Sequence, residues 1–181
     1  MSAACGKVIW VTGLSGAGKT TVARHLQPAL QAEGGPVILL DGDELRQVFP
    51  TGANYDRESR LQLALAYARL CNLLARQGAT VICATISMRH EVHAWNRDNL
   101  PNYVEVFLDV PDNVRAGRDP KHHYAAVREG RLADFAGHDQ AVDLPLAPHI
   151  HLRPGLNEKP AETARKIMAR LPWRRSSSLE R

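Results

Sequence analysis

Cysteine is scarce in this 181-residue chain, and long apolar runs are missing from it. Only Cys5, Cys71 and Cys83 occur, an odd count without CxxC spacing. That argues against a disulfide framework or a structural zinc and for a reducing compartment. No stretch approaches the roughly 18 consecutive apolar residues of a membrane helix. The opening residues MSAACGK show neither the charged start nor the apolar centre of a signal peptide. The expectation is therefore a cytoplasmic protein without a membrane partner. A stripe of one charge is missing too: 23 Lys and Arg against 19 Asp and Glu leave a net charge of +4, with the positive residues scattered. No motif that reads RNA or DNA is present, so nucleic acid is not expected as a partner. His90 and His93 share a helix face and His122 adjoins His123, but no carboxylate or cysteine spacing completes a metal site. Internal repeats and a second domain are also absent from the pattern. The chain reads as one domain over residues 1–173, large enough to bury a core, with a basic, serine-rich tail at 174–181.

What is present is an alternation. Runs rich in β-branched residues near 7–12, 36–40, 79–84 and 103–109, with a weaker one near 149–152, are separated by helical patterns. The helices fall near 19–33, 57–77, 88–99, 111–116 and 160–170, and the longest stops at Gly78, a C-terminal cap. This predicts an α/β fold, a parallel sheet flanked by helices. Residues 117–148 break the alternation with a charged insert that closes on prolines, which reads as a lid outside the sheet.

The first strand runs into GLSGAGKT at 13–20, the pattern G-x-x-x-x-G-K-[ST] with Gly13, Gly18, Lys19 and Thr20 in the fixed places. Glycines there let successive backbone N–H groups turn toward one anion, and the helix that follows adds its positive end. Lys19 would reach the β- and γ-phosphates of a nucleoside triphosphate, and Thr20 would hold Mg²⁺. A small polyanionic substrate also suits the basic surplus. A switch GTPase would carry N-K-x-D for the base, and the chain has no such motif.

The second strand ends in LLDGDELR at 39–46. Ligands of open parallel sheets bind beyond the carboxyl ends of the strands, so Asp41 and Asp43 would face the phosphate loop. Two carboxylates there can order the waters of Mg²⁺ or take a proton from an attacking hydroxyl. Asp43 is the candidate base, and Arg46 could hold an anionic acceptor. Asp43 taken alone could equally cap the short helix after the strand. Its company, the phosphate loop and Arg46, favours the base.

The combination of IWVTGLSGAGKTT with LLDGDELR resembles adenylyl-sulfate kinase, a family of P-loop kinases. So do ISM at 86–88, YVEVFLDVP at 103–111 and RDPKHHYAAVREGRLADFAGHD at 118–139. The resemblance covers about residues 7–152. It implies a P-loop NTPase-type sheet, a usually homodimeric enzyme, and transfer of the γ-phosphate of ATP to the ribose 3′-hydroxyl of adenosine 5′-phosphosulfate. It implies an ATP and Mg²⁺ site at Gly13, Ser15, Gly16, Ala17, Gly18, Lys19, Thr20, Thr21 and Arg118. It places the acceptor among Asp41, Asp43, Arg46, Arg60, Ile86 and Ser87, with Tyr55 and Phe135 stacking on its base and Lys121 neutralising charge near the transferred group. Such stacking is worth roughly 1–3 kcal/mol per base. Family members from bacteria have been assigned a phosphoserine at the position of Ser87, although in-line transfer needs no covalent intermediate.

The chain also departs from the family. Gln62, Leu63, Leu65 and Ala66 stand where the family has Glu-Asn and paired arginines, and Met88, Arg89 and His90 replace proline, an aromatic and arginine. His122 and His123 replace Gly-Leu, and Val142-Asp143 replaces Tyr-Glu. The donor half fits, and the acceptor half is edited. ESRL at 58–61 and CATISMRHEVHAWNRDNLPNY at 83–103 look closer to cytidine diphosphoramidate kinase, a related group that phosphorylates a ribose 3′-hydroxyl. A nucleotide-binding sensor without catalysis is the remaining reading, and intact Lys19, Thr20, Asp43 and Lys121 speak against it.

Overall fold

The computed structural model describes residues 5–49, 56–117 and 142–175. Five parallel strands form one sheet: β1 (Lys7–Thr12), β2 (Val37–Asp41), β3 (Thr80–Ala84), β4 (Tyr103–Leu108) and β5 (Ile150–Leu152). Their order across the sheet is β2-β3-β1-β4-β5. Trp10 sits at the centre of the register, opposite Cys83 on one side and Glu105 on the other.

Because side chains alternate across a strand and helices cover both faces, β1 is buried twice over. Ile9 and Val11 pack with Leu26 and Leu30 of α1 (Lys19–Gln31) and Ile167 of α6 (Pro160–Met168). Val8 and Trp10 point the other way, into Tyr67, Ala68 and Cys71 of α3 (Arg57–Arg76) and Val92 of α4 (His90–Asn99). Of the apolar runs read from the sequence as strands, β1, β3 and β4 are buried along nearly their whole length, while the edge strands β2 and β5 are less covered. Helix α2 (Gly42–Val48) is the short helix expected after β2, and α5 (Asp112–Gly117) follows β4.

Two boundaries differ from the sequence expectation for a physical reason. Helix α4 begins at His90 rather than 88, because Ser87 has φ 31° and Arg89, the N-cap, is extended. The chain thus leaves β3 through a non-helical turn, Thr85–Arg89, before the helix can start. Residues 174 and 175, placed in the tail from sequence, belong to a last turn, α7 (Pro172–Arg175). Trp173 packs on the core there, and Arg174 Nε lies 2.7 Å from Glu33 Oε1. No helix among the described residues is long and apolar enough to cross a membrane.

Candidate active site

The carboxyl ends of β1, β2 and β3 open into one cleft of about 1010 Å³. The phosphate loop forms one wall. Gly13 has φ 152°, and a Cβ there would stand 2.6 Å from the Leu108 carbonyl oxygen, so neither the backbone nor the neighbouring strand admits a side chain. Lys19 Nζ donates to the Leu14 carbonyl at 2.9 Å, which folds the ammonium back over the loop. Gly13 and Ala17 do not line the cleft: Gly13 backs onto Leu108, and Ala17 belongs to the apolar core. Ser15, Gly16, Gly18, Lys19, Thr20 and Thr21 do line it.

The loop is supported by a residue that the sequence reading missed. Arg115 of α5 is 2% exposed. Its Nε donates to Val110 O at 3.1 Å, its Nη1 to Ser15 O at 3.3 Å and its Nη2 to Asp112 Oδ1 at 2.5 Å. A buried guanidinium satisfied on every side is a rigid strut. Nothing in local spacing announces it, since Ser15 lies 100 residues earlier.

The turn from β2 into α2 joins the loop to the second wall. Thr20 Oγ1 donates to Asp41 Oδ2 at 2.5 Å, and the Asp43 N–H donates to Asp41 Oδ1 at 2.8 Å. Asp41, not Asp43, is thus the N-cap of α2. The alternative role considered for Asp43 is already filled by its neighbour. Asp43 lies in the first helical turn, half-exposed at the cleft and ion-paired with Arg46. Gly42 between them leaves room for β3: a Cβ would meet Thr85 Oγ1 at 3.2 Å and the Ala84 carbonyl oxygen at 3.3 Å.

The third wall is the Thr85–Arg89 turn. Thr12, buried at the end of β1, donates its hydroxyl to the Ile86 carbonyl in a short bond across 74 residues. Thr85 Oγ1 and Ser87 Oγ are 2.9 Å apart, and the Arg89 N–H reaches Ser87 O at 3.1 Å. Ile86, Ser87, Met88 and Arg89 all line the cleft, opposite Arg60, Leu63 and Tyr67 of α3. The Tyr67 ring is held edge-on by Phe49 at 5.6 Å. Of the four edited positions on α3, Leu63 alone lines the cleft; Gln62 is exposed and bonded to Glu58 at 2.7 Å. The turn at 156–160 closes the remaining side, with Glu158 fixed by Thr163 and Lys166 at 2.8 and 2.9 Å. Tyr55, Arg118, Lys121 and Phe135 lie outside the described residues.

Residues 142–149 run back along α4. The Asp143 N–H donates to Met88 O at 3.1 Å, His90 Nε2 meets Leu144 O at 3.0 Å, and Arg97 Nη2 donates to Ala147 O at 3.1 Å. Beneath the Thr85–Arg89 turn sits a buried polar group. Glu105 is wholly buried and accepts from Arg97 Nη2 at 2.6 Å; His93 Nδ1 lies 3.4 Å from its other oxygen. Burial, then Arg97 and His90, push the His93 imidazole down to about 4, against the pull of the Ser87 backbone and Asp143. Burial pushes the Glu105 carboxyl up, and Arg97 opposes it. His93 is therefore neutral at pH 7.

This geometry has counterparts among known proteins. The family model described as adenylylsulphate kinase matches residues 5–153. An adenylyl-sulfate kinase of Chloroflexus aurantiacus is 41% identical over 155 residues, 86% of this chain and 83% of the relative. A cytidine diphosphoramidate kinase of Campylobacter jejuni is 38% identical over 140 residues, 77% of this chain and 82% of the relative. Among solved structures, the APS kinase of Mycobacterium tuberculosis, in complex with AMPPNP and APS, superposes with a TM-score of 0.84 at 32% identity. That match covers 92% of this chain and 98% of the other. With its parallel sheet, its phosphate loop and matches across most of its length, the chain belongs to the adenylylsulphate kinase family of ATP-dependent P-loop kinases.

Proposed function

We propose that the cleft transfers the γ-phosphate of ATP to the ribose 3′-hydroxyl of adenylyl sulfate. The observation that carries this reading is the hydrogen-bonded chain Thr20–Asp41–Asp43, which joins the phosphate loop to the acceptor wall. Lys19 and the loop backbone hold the phosphates, and Thr21 with Arg118 completes the nucleotide site. Asp43 accepts the proton of the attacking hydroxyl, since Asp41 already caps the helix. Arg46 and Arg60 hold the acceptor's charged end, while Ile86 and Ser87 fix its edge. Tyr55 and Phe135 close on its base, and Lys121 neutralises charge at the transferred group. Ser87 acts through a hydroxyl tethered to Thr85, without a covalent phosphoryl intermediate.

The oxygen pair Thr20 Oγ1 and Asp41 Oδ2 fits the hard donor set that Mg²⁺ takes, with Thr20 as ligand and Asp41 ordering its waters. Bound there, Mg²⁺ would neutralise phosphate charge. In this reading the enzyme works in the cytoplasm as a homodimer, which sedimentation would test. The decisive experiment is ADP release coupled to analysis of the nucleotide product, with adenylyl sulfate, cytidine diphosphoramidate and no acceptor. A 3′-phosphorylated product from adenylyl sulfate is the expected result. Slow ATP turnover that no acceptor accelerates would reduce the protein to a nucleotide sensor.

A further inference from the structure

We infer that Arg115 is a positioning residue for the donor nucleotide: it fixes one orientation of the Ser15–Gly16 peptide and so aims the Gly16 N–H at the phosphates. The inference rests on the reading of the loop as a triphosphate site. It adds to that site a residue from outside the loop, 100 residues beyond Ser15.

The peptide concerned is the centre of a tight turn. The Ala17 N–H donates to Leu14 O at 3.2 Å, which makes Leu14–Ala17 a β-turn with Ser15 and Gly16 in the middle. Gly16 has φ 77° and Ser15 has no positive φ, the combination of a type II turn. A type I turn shares the same ends and differs by a half-rotation of the central peptide, which exchanges the directions of Ser15 C=O and Gly16 N–H. Glycine takes either sign of φ at little cost, so Gly16 by itself leaves both forms accessible.

Arg115 removes that ambiguity. Its Nη1 donates to the Ser15 carbonyl at 3.3 Å, while Val110 O and Asp112 Oδ1 hold the same guanidinium in place. The backbone of Arg115 lies directly behind the turn: a Cβ on Gly16 would stand 3.1 Å from the Arg115 carbonyl oxygen. Ser15 and Gly16 line the cleft, and Arg115 does not. The Ser15 carbonyl is therefore drawn to the side away from the cleft. In a trans peptide the N–H points opposite to the C=O, and no cis bond occurs among the described residues, so the Gly16 N–H faces the cleft. The flipped peptide would instead set its carbonyl oxygen against phosphate oxygens. A cationic donor on the Ser15 carbonyl also polarises the peptide and makes its N–H a stronger donor. The ligand served is a polyphosphate at the loop, not the acceptor on the far wall.

The test is calorimetric binding of ADP to the full chain and of adenylyl sulfate to the ADP-saturated chain, with the Gly16 amide followed by NMR. In the parent, ADP should move the Gly16 amide resonance, and an unmoved resonance would overturn the inference without any variant. Arg115→Met leaves the turn without its anchor, so only a fraction of molecules present the N–H. Apparent affinity falls with that fraction, and ADP should bind about tenfold more weakly. Adenylyl sulfate should stay within about twofold. A merely structural role would weaken both ligands alike; that result, or unchanged ADP binding, would overturn the inference. If Arg115→Met does not fold, Arg115→Lys decides. It keeps the charge but not the fork that bonds Val110 and Ser15 at once, and ADP bound as tightly as by the parent would sink the claim. Binding is read without turnover, so a parent that binds ADP yet phosphorylates no acceptor would refute the proposed reaction and still decide this inference.

Discussion

The donor wall and the acceptor wall of the cleft are held together in different ways. The phosphate loop is a run of eight consecutive residues whose shape follows from its own glycines, with one long-range strut at Arg115. The acceptor wall is assembled from the end of β2, one face of α3, the Thr85–Arg89 turn and residues 142–149. Its contacts cross large gaps in sequence: Thr12 to Ile86, Asp143 to Met88, Arg97 to Ala147. A wall built from backbone groups tolerates little change, because Gly13, Gly16 and Gly18 all take positive φ, which side chains rarely adopt. A wall built from side chains on separate elements can exchange one residue at a time. On that contrast, departures from the family are expected in the acceptor wall rather than in the phosphate loop.

Four substitutions or conditions test the contrast. The largest effect belongs to the donor wall: Lys19→Ala removes the flexible cation proposed to meet the transferred phosphoryl group and should lower turnover by about two to three orders of magnitude. Acceptor-dependent ADP release at saturating ATP measures it, and a fall under about threefold would contradict the role. Next comes Asp43→Asn, expected to cost about a hundredfold in turnover. Its melting temperature should stay near the parent's, because Asp41 supplies the cap. A large loss of stability with normal turnover would instead give Asp43 a structural role.

The buried group under the acceptor wall provides the third test. His93 titrates lower in the fold, at about 4, than its ordinary 6.5, so the unfolded chain binds the extra proton first. Stability carried by neutral His93 is present above pH 6.5 and is lost as pH falls toward 4, about 2 kcal/mol by pH 5. Glu105 works in the opposite sense: its raised carboxyl titration makes its charged form a burden that is relieved as pH falls. Comparing urea melts of the parent and His93→Gln at pH 7 and 5 isolates the imidazole. The variant should lose less stability on acidification, and an identical loss would contradict the assignment. The smallest effect is expected from Thr12→Val, which deletes the bond to Ile86 and should cost about 1 kcal/mol. If that bond sets the acceptor turn, the acceptor's KM should rise more than that of ATP, and equal changes would show that the two walls do not depend on it.

Much of this was legible in the sequence because it is local. Strands buried on both faces read as apolar runs, and the phosphate loop and LLDGDELR, each only eight residues long, both contribute residues to the one cleft. The caps were only half legible: a carboxylate at the start of α2 was foreseeable, but Asp41 and not Asp43 fills the place, since the helix already begins at Gly42 and Asp43 lies inside its first turn. Arg115 and Arg89 carried no signal. Each is an arginine in a charged stretch until the fold buries it, and burial of a charge depends on partners far along the chain. His93 shares a helix face with His90 by spacing, yet it is buried while His90 is exposed, a difference that the i, i+3 spacing does not carry.

The central place of β1 has a consequence for how the molecule breathes. With strands on both sides and helices on both faces, its amides open to solvent only when the whole sheet comes apart, whereas frayed edges open far more often. The positive-φ turn at Gly13 follows directly on this strand. The phosphate loop is thus tethered to the part of the chain that exchanges last, and its unusual backbone angles are retained through every smaller fluctuation of the fold.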